Sequence, residues 1–276
     1  MKRHSSKLAS LSFWTLIIIM VLGILYLAAT SFGFKIGNQA SAQTPQYVEI
    51  PRFTVSGIPE IIVEHTGYTV SFNSERNIPN WVAYELTKEE VGGDEPRSQH
   101  FLPDPEIRNC PTTDDYKNSG YDRGHMAPAG DMKWSETAMK ESFYLSNICP
   151  QNHNLNAGVW KDLEEHVRDL ASQKGHIYVV CGPIVYSDYR TIGENKVVIP
   201  NAFFKVLLQE ENGQIHTIGF VYENVSGRRP MSTYAISVDE VETLTGIDFF
   251  PSLPDKIEER VEAEVDFTKW VIKKHK

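Results

Sequence analysis

The chain has 276 residues, of which 41% are hydrophobic and 23% are charged, a composition that excludes a disordered protein. Its 36 acidic residues outnumber its 27 basic residues, so the formal net charge is −9 at pH 7. Residues 1–42 carry four basic and no acidic residues, so the rest of the chain holds 23 basic and 36 acidic residues, a net charge of −13. This charge disfavours capture of nucleic acid by the whole surface, and any nucleic-acid site requires a local basic cleft.

The N-terminal segment differs in composition from the rest of the chain. Residues 8–34 contain no charged residue and are mostly apolar, so they are long enough to cross a bilayer as a helix. More basic residues precede this run than follow it, which predicts a cytoplasmic N-terminus and an extracytoplasmic body. Residues 40–42, Ala-Ser-Ala, look like a signal cleavage site. A retained membrane anchor and a cleaved signal, which would leave a secreted or periplasmic protein, therefore remain equal alternatives for residues 1–42.

Residues 43–276 are predicted to form one domain, because no long Pro-, Gly- or Ser-rich linker divides them. Residues 43–65 contain three prolines and are interpreted as an irregular extension at its start. Residues 88–120 are polar and rich in Gly and Pro, which predicts a long loop that is functional or mobile.

Apolar periodicity places strands and helices along this domain. Strands are predicted over residues 68–72, 80–86, 176–185, 201–209 and 214–222, and helices over residues 156–171, 237–246 and 255–274. Gly182-Pro183 is expected to break the third strand, and Asn212-Gly213 to close a hairpin between the last two. The sum is an α+β fold with an antiparallel sheet core, preceded by an N-terminal hydrophobic helix.

The three cysteines, Cys110, Cys149 and Cys181, are an odd number, so at least one is unpaired unless a second chain takes it. Cys181 lies inside an apolar strand, which predicts a buried thiol. The sequence has neither a Cys-x-x-Cys nor a His-Glu-x-x-His motif. A cysteine-based metal site and a zinc peptidase are therefore disfavoured.

Residues 121–131, Tyr-Asp-Arg-Gly-His-Met-Ala-Pro-Ala-Gly-Asp, place a cation, a glycine and an imidazole next to one another. A neutral His125 can accept a proton from water near pH 7. Arg123 can bind a phosphate through two hydrogen bonds, and Gly124 allows the backbone to approach a ligand closely. Taken alone, the segment is better explained as an exposed turn with a surface histidine, because short motifs often match by chance.

A second group of residues lies on the first long predicted helix. Asn156, Trp160, Glu164 and Arg168 are spaced by four and form one ridge. The amide oxygen of Asn156 is a hard ligand that suits Mg²⁺. Taken alone, Asn156 is better explained as a helix N-cap, and Glu164 with Arg168 as a solvated ion pair.

Together the two groups resemble the DNA/RNA non-specific endonuclease family, which contains secreted bacterial and mitochondrial nucleases of the ββα-metal (His-Me finger) type. Three motifs carry the resemblance: Asp-Arg-Gly-His-Met-Ala-Pro, Ser-Asn-Ile-x-Pro-Gln and Asn-x-Gly-x-Trp-x-x-Leu-Glu. The similarity covers much of residues 68–225. It implies an antiparallel α+β domain with a ββα-metal finger active site.

The resemblance implies roles for the residues that match the motifs. His125 corresponds to the general base. Asn156 corresponds to the only direct protein ligand of Mg²⁺, with Mn²⁺ as a possible substitute, and Glu164 to the acidic residue that orients water on the metal. Cys149 and His153 are not family hallmarks and are interpreted as filler positions.

The resemblance also implies a set of substrate contacts. Arg123 and Arg168 correspond to arginines that bind phosphate near the scissile bond. Arg97 aligns more loosely with a third such arginine, and Asn147 corresponds to an active-site asparagine with a supporting role. These arginines would supply the local cationic cleft that an acidic protein needs.

The function implied is Mg²⁺-dependent hydrolysis of phosphodiester bonds in DNA or RNA, without sequence specificity and with 5′-phosphate products. Two alternatives stay open: a nucleic-acid-binding or uptake protein without catalysis, and a phosphodiesterase for small molecules or lipids. The presence of His125 and Asn156 argues against the first, and a closed apolar pocket would indicate the second. The sequence leaves open the preference between DNA and RNA, a homodimer, and membrane contact through an uncleaved N-terminal segment.

Overall fold

The computed structural model describes residues 48–272. The hydrophobic helix predicted within residues 1–42 lies outside the described residues, as does the start of the predicted extension. Across residues 48–272 no helix is long and apolar enough to cross a membrane.

The described residues contain thirteen β-strands. They are β1 Arg52–Phe53, β2 Ile61–Glu64, β3 Thr69–Asn73, β4 Ile78–Thr87, β5 Asp122–His125, β6 Ile148–Gln151, β7 His176–Ile184, β8 Arg190–Ile192, β9 Val197–Ile199, β10 Ala202–Glu211, β11 Gln214–Glu223, β12 Ala235–Ile236 and β13 Ile247–Asp248. Seven of them form one antiparallel sheet in the order β12-β11-β10-β7-β4-β3-β2. The remaining strands pair as β1-β13, β5-β6 and β8-β9, so the predicted α+β fold with an antiparallel core is confirmed.

The same residues contain six α-helices and several short helical turns. The α-helices are α1 Lys88–Val91, α2 Thr113–Tyr116, α3 Glu136–Ser142, α4 Trp160–Lys174, α5 Val238–Thr245 and α6 Asp255–Glu262. A π-helical turn, Leu155–Val159, leads directly into α4. The helix predicted over residues 237–246 is found as α5: the Ser237 side chain accepts from the N–H of Glu240 in a capping box, and Gly246 ends the helix at φ 69°.

The β10-β11 hairpin shows how local sequence sets the sheet. The two ten-residue strands pair without a register shift as far as Glu211 and Gln214. Asn212 and Gly213 both have positive φ, 54° and 74°, which is the backbone of the tight turns that match the strand twist. Along β10, Phe203 and Leu207 face one side of the sheet, whereas Phe204 faces the other. The central strands are therefore buried on both faces, and for this reason they are apolar almost throughout.

The two faces of the sheet carry different layers. On the first face pack α4 and the β5-β6 pair, through residues such as Leu163, Val167 and Ile148. On the second face pack α5 and α6, through Val241 and Val261. The Asp-Arg-Gly-His segment and the helix that carries Glu164 and Arg168 therefore meet on the first face.

Four expectations about individual segments are corrected. Gly182 and Pro183 do not break β7, because Gly182 fits closely against the carbonyl of Asn80 and both residues stay paired with β10. The helix predicted over residues 255–274 ends at Glu262, and a 3-10 turn at Phe267–Trp270 buries Trp270. The extension contributes β1 and the sheet edge β2, and the long loop contains α1 and α2.

Candidate active site

The β5-β6 pair carries the first motif. The strands are antiparallel, and His125 lies opposite Ile148. At Gly124 a Cβ atom would overlap the side chain of Gln151, so only glycine permits the two strands to lie this close. The glycine of the motif therefore serves strand packing and places His125 at the end of β5.

Asn147 holds the chain that follows His125. Its Nδ2 donates to the carbonyl oxygens of Ala127 and Ser142, at 2.8 Å each, and its Oδ1 accepts from the N–H of Ala127 at 2.9 Å. The side chain is fully buried. Asn147 therefore positions the backbone at Ala127 and Ser142. Its buried side chain is not exposed for contact with a substrate.

His125 is a buried histidine in an aromatic setting. It is 7% exposed, with its ring centroid 4.8 Å from that of Phe143 and 5.3 Å from that of Phe101. Within the described residues its Nε2 has no hydrogen-bond partner. Burial, assisted by the charge of Arg97, lowers its pKa to about 3, so the imidazole is neutral at pH 7. The alternative of a surface histidine in an exposed turn is wrong.

Asn156 lies in the π-helical turn Leu155–Val159, not at a helix N-cap. Gly158 inside this turn has non-helical dihedrals, φ −113° and ψ −116°. The Nδ2 of Asn156 donates to Oδ2 of Asp122 at 2.9 Å. With the nitrogen held in this way, the amide oxygen is left free to accept a ligand; π-turns of this kind often occur at functional sites.

Asp122, which the sequence interpretation did not single out, connects the two motifs. The same Oδ2 that accepts from Asn156 lies 2.9 Å from Nδ1 of His153, whose side chain is 72% exposed. Asp122 thus orients Asn156, and His153 is part of this arrangement and not a filler position. Asp122 is the first residue of the Asp-Arg-Gly-His motif, and this position is the sequence signal that could have identified it.

Arg168 is fixed by a buried carboxylate. Its Nη1 donates to Oδ1 of Asp131 at 2.7 Å, and Tyr84 donates its hydroxyl to the other oxygen at 2.8 Å. A Cβ on Gly130 would lie 2.7 Å from this Nη1, so the glycine leaves room for the guanidinium. The alternative of a solvated ion pair with Glu164 is therefore wrong.

A buried lysine lies behind Glu164. Lys205 is 1% exposed, and its Nζ lies 4.8 Å from the ring centroid of Trp160. Burial raises the pKa of Glu164 to about 7, and the charge of Lys205 opposes this rise. The sequence interpretation missed Lys205, although a single cation among the apolar residues of β10 is an unusual pattern.

Six of the seven predicted site residues line one open cavity of about 330 Å³: Arg97, Arg123, His125, Asn156, Glu164 and Arg168. Lys161 also lines it. The Cζ atoms of Arg97 and Arg123 lie 5.1 and 4.6 Å from the ring centroids of Phe143 and Phe101. An acidic protein therefore presents a local cationic cleft around its buried imidazole.

Comparison with known proteins shows the family of the chain. Residues 45–256 match the family model described as DNA/RNA non-specific endonuclease. The chain belongs to this family. It is 36% identical over 218 residues to the mitochondrial nuclease EXOG of Danio rerio, covering 71% of this chain and 64% of EXOG. It is 32% identical over 221 residues to the mitochondrial endonuclease G of Bos taurus, covering 74% of each.

A solved structure agrees with the fold. The crystal structure of an EndoG/EndoGI complex matches with a TM-score of 0.67 and 32% sequence identity, covering 72% of this chain and 90% of that one. The chain spans less than two thirds of the length of the Danio rerio nuclease EXOG. The family predicted from the sequence is thus confirmed, and the relatives are named as nucleases.

These comparisons overturn the extracytoplasmic location. The relatives EXOG and endonuclease G are named as mitochondrial proteins. The prediction failed because it rested on the composition and flanking charge of residues 1–42 alone. Such properties do not separate export from other kinds of N-terminal targeting.

Proposed function

We propose that the chain is a Mg²⁺-dependent endonuclease that hydrolyses DNA and RNA phosphodiester bonds without sequence specificity and leaves 5′-phosphate ends. The observation that carries this proposal is a neutral, buried His125 in one open cavity with Asn156 and three arginines. An imidazole in this state accepts a proton, and guanidinium groups stabilise the charge that develops on a phosphoryl group.

The shape and charge of the cavity favour a polymer substrate. It is open and lined by cations, whereas a site for small molecules is more often enclosed and apolar. A neighbouring cavity of about 440 Å³ shares Arg123 and Asn156 and adds Lys117 and Tyr121. Together they offer a groove in which nucleotides on both sides of a bound phosphate could lie. The phosphodiesterase for small molecules is therefore the weaker alternative.

The residues present fit the metal of a ββα-metal finger. Mg²⁺ binds oxygen ligands and retains several waters, so it needs few ligands from the protein. The amide oxygen of Asn156 is such a ligand, held in orientation by Asp122, and Glu164 offers a carboxylate beside it. When bound, Mg²⁺ would neutralise charge on the phosphate and the leaving oxygen.

The chain's own residues have separate tasks in this proposal. The imidazole of His125, which burial keeps neutral and which lines the cavity, accepts a proton from the attacking water. Arg97, Arg123 and Arg168 bind the phosphate and balance its growing charge, while Glu164 orients a water that protonates the 3′ oxygen as the phosphorus–oxygen bond to it breaks. Phe101 and Phe143 exclude water from one side of His125 and keep it neutral.

The full chain incubated with plasmid DNA and with RNA tests the proposal directly. We expect cleavage of both polymers in Mg²⁺, none in EDTA, and 5′-phosphate ends on the products. Binding of DNA without cleavage would instead favour the uptake protein. Hydrolysis of small phosphodiesters alone would favour the second alternative.

Arg168→Lys is expected to lower kcat/KM about 10- to 100-fold with little loss of stability. Lysine keeps a charge beside Asp131 but lacks the planar fork that binds phosphate through two hydrogen bonds. Steady-state kinetics and urea unfolding of the same protein separate activity from folding. Arg228→Ala is the matched control, because its exposed pair with Asp162 contributes little. Equal activity of Arg168→Lys and wild type would contradict phosphate binding by Arg168.

Lys205→Met is expected to lower activity about 10-fold near neutral pH. The activity of this variant should recover as pH rises. Without the buried charge the pKa of Glu164 rises further above about 7, so less of the carboxylate is ionised at neutral pH. A pH profile of kcat/KM measures the effect, and adding Glu164→Gln should remove the alkaline recovery. A loss that is the same at every pH would show that Lys205 serves packing only.

A further inference from the structure

Three carboxylates meet between α5 and α6, on the face of the sheet opposite the cationic cavity. They belong to Asp239 and Glu242 of α5 and to Glu262 at the end of α6, and one oxygen from each lies within 4.8 Å of the other two. Glu262 is 4% exposed, and its Oε1 is buried and has no hydrogen-bond partner within residues 48–272. A buried carboxylate oxygen without a partner is costly, so this geometry requires an explanation.

The surroundings add negative charge. Glu258 and Asp248 lie near enough to disfavour ionisation of Glu262, and Asp248 is itself paired with the exposed Arg52 at 2.7 Å. The carboxylate of Glu242 accepts from the N–H of Phe249 through Oε1. Burial raises the pKa of Glu262 to about 9, and burial raises that of Glu242 to about 7. Within residues 48–272 none of the three carboxylates forms a salt bridge with a basic side chain.

We propose that Asp239, Glu242 and Glu262 form a second divalent-cation site, separate from the catalytic cavity and suited to Ca²⁺. Ca²⁺ binds carboxylate oxygens at about 2.3–2.6 Å, so oxygens up to about 4.8 Å apart can share one ion. Its flexible coordination accepts ligands from two helices together with water, whereas Mg²⁺ demands near-octahedral geometry. A bound ion would link the end of α6 to α5 and stabilise the fold without taking part in hydrolysis.

Thermal unfolding of the full chain with EDTA and with added CaCl₂ tests the site. We expect Ca²⁺ at about 100 times its Kd to raise Tm by about 5 °C or more. Glu262→Gln keeps the side-chain shape but cannot ionise to bind a cation, so its Tm in EDTA should equal or exceed that of wild type, while the Ca²⁺-dependent rise disappears. Glu259→Gln, an exposed position on the same helix, should keep the rise.

Two further variants separate this site from the catalytic one. Asn156→Ala should keep the full Ca²⁺-dependent rise in Tm, because the proposed ligands do not include Asn156. Asp239→Asn changes an exposed ligand and should lose most of the rise, which keeps the test valid if Glu262→Gln fails to fold. The absence of a rise in wild type with Ca²⁺, Mn²⁺ and Mg²⁺ would overturn the proposal. So would loss of the rise in Asn156→Ala with its retention in Asp239→Asn.

Discussion

His125→Ala is expected to lose about 10²–10⁴-fold in kcat/KM while it still binds DNA and Mg²⁺, because a general base contributes about this much to a proton transfer. The alternatives for the missing base are hydroxide and added imidazole. The residual rate should therefore rise with pH, and imidazole should restore part of it, since the substitution opens a space between Phe101 and Phe143. Rate measurements against pH and imidazole concentration at saturating Mg²⁺ test both points.

The matched control is His216→Ala on β11, which lies outside the cavity and should keep wild-type kinetics. Near-normal turnover of His125→Ala, or its recovery by Mg²⁺ alone, would refute the role of His125 as base.

The same variant should also differ from wild type in the pH dependence of its stability. The pKa of His125 is about 3 in the folded protein, whereas its ordinary value is 6.5. As pH falls from 6.5 towards 3, the unfolded chain takes up a proton at His125 that the folded protein does not. The wild-type protein therefore loses stability over this range. His125→Ala should lack this part of the acid-induced loss.

The residues gathered in the cavity could be predicted because their motifs fix local geometry. The Asp-Arg-Gly-His segment requires a strand beside the Gln151 side chain, and only glycine at position 124 fits there. The helix that begins at Trp160 directs Glu164 and Arg168 towards the same side, since residues four apart share a helix face. The resemblance of these motifs to a known family, together with helical spacing, therefore predicted which side chains meet.

The partners of those side chains could not be predicted, because they come from distant segments. Arg168 pairs with Asp131, 37 positions away, and Asn156 with Asp122, 34 positions away. In each case the sequence interpretation offered a local explanation, a helix ion pair or an N-cap, whereas the tertiary contact prevailed. Asn147 illustrates the converse, because a motif residue assigned to substrate is used up by backbone hydrogen bonds. The effect of Lys205 on Glu164 could not be predicted either, because the sequence alone does not show which face of β10 lies towards Glu164.

Asn156→Ala is expected to fail in a different way from His125→Ala, because it removes the amide oxygen proposed to hold Mg²⁺. Activity at low Mg²⁺ should fall about 10²-fold or more, and higher Mg²⁺ should recover much of it, since weaker metal binding is compensated by mass action. Imidazole should have no effect.

Asn156→Asp is the informative companion variant. It keeps a hard oxygen ligand but loses the N–H donor to Asp122. It should therefore bind Mg²⁺ but position it poorly, with a lower kcat at saturating metal. Rates measured against Mg²⁺ for both variants, together with calorimetric Mg²⁺ binding, resolve the two effects. If Asn156→Ala required no more Mg²⁺ than wild type, the metal would have to be held by other residues of the cavity, with Glu164 the first to test.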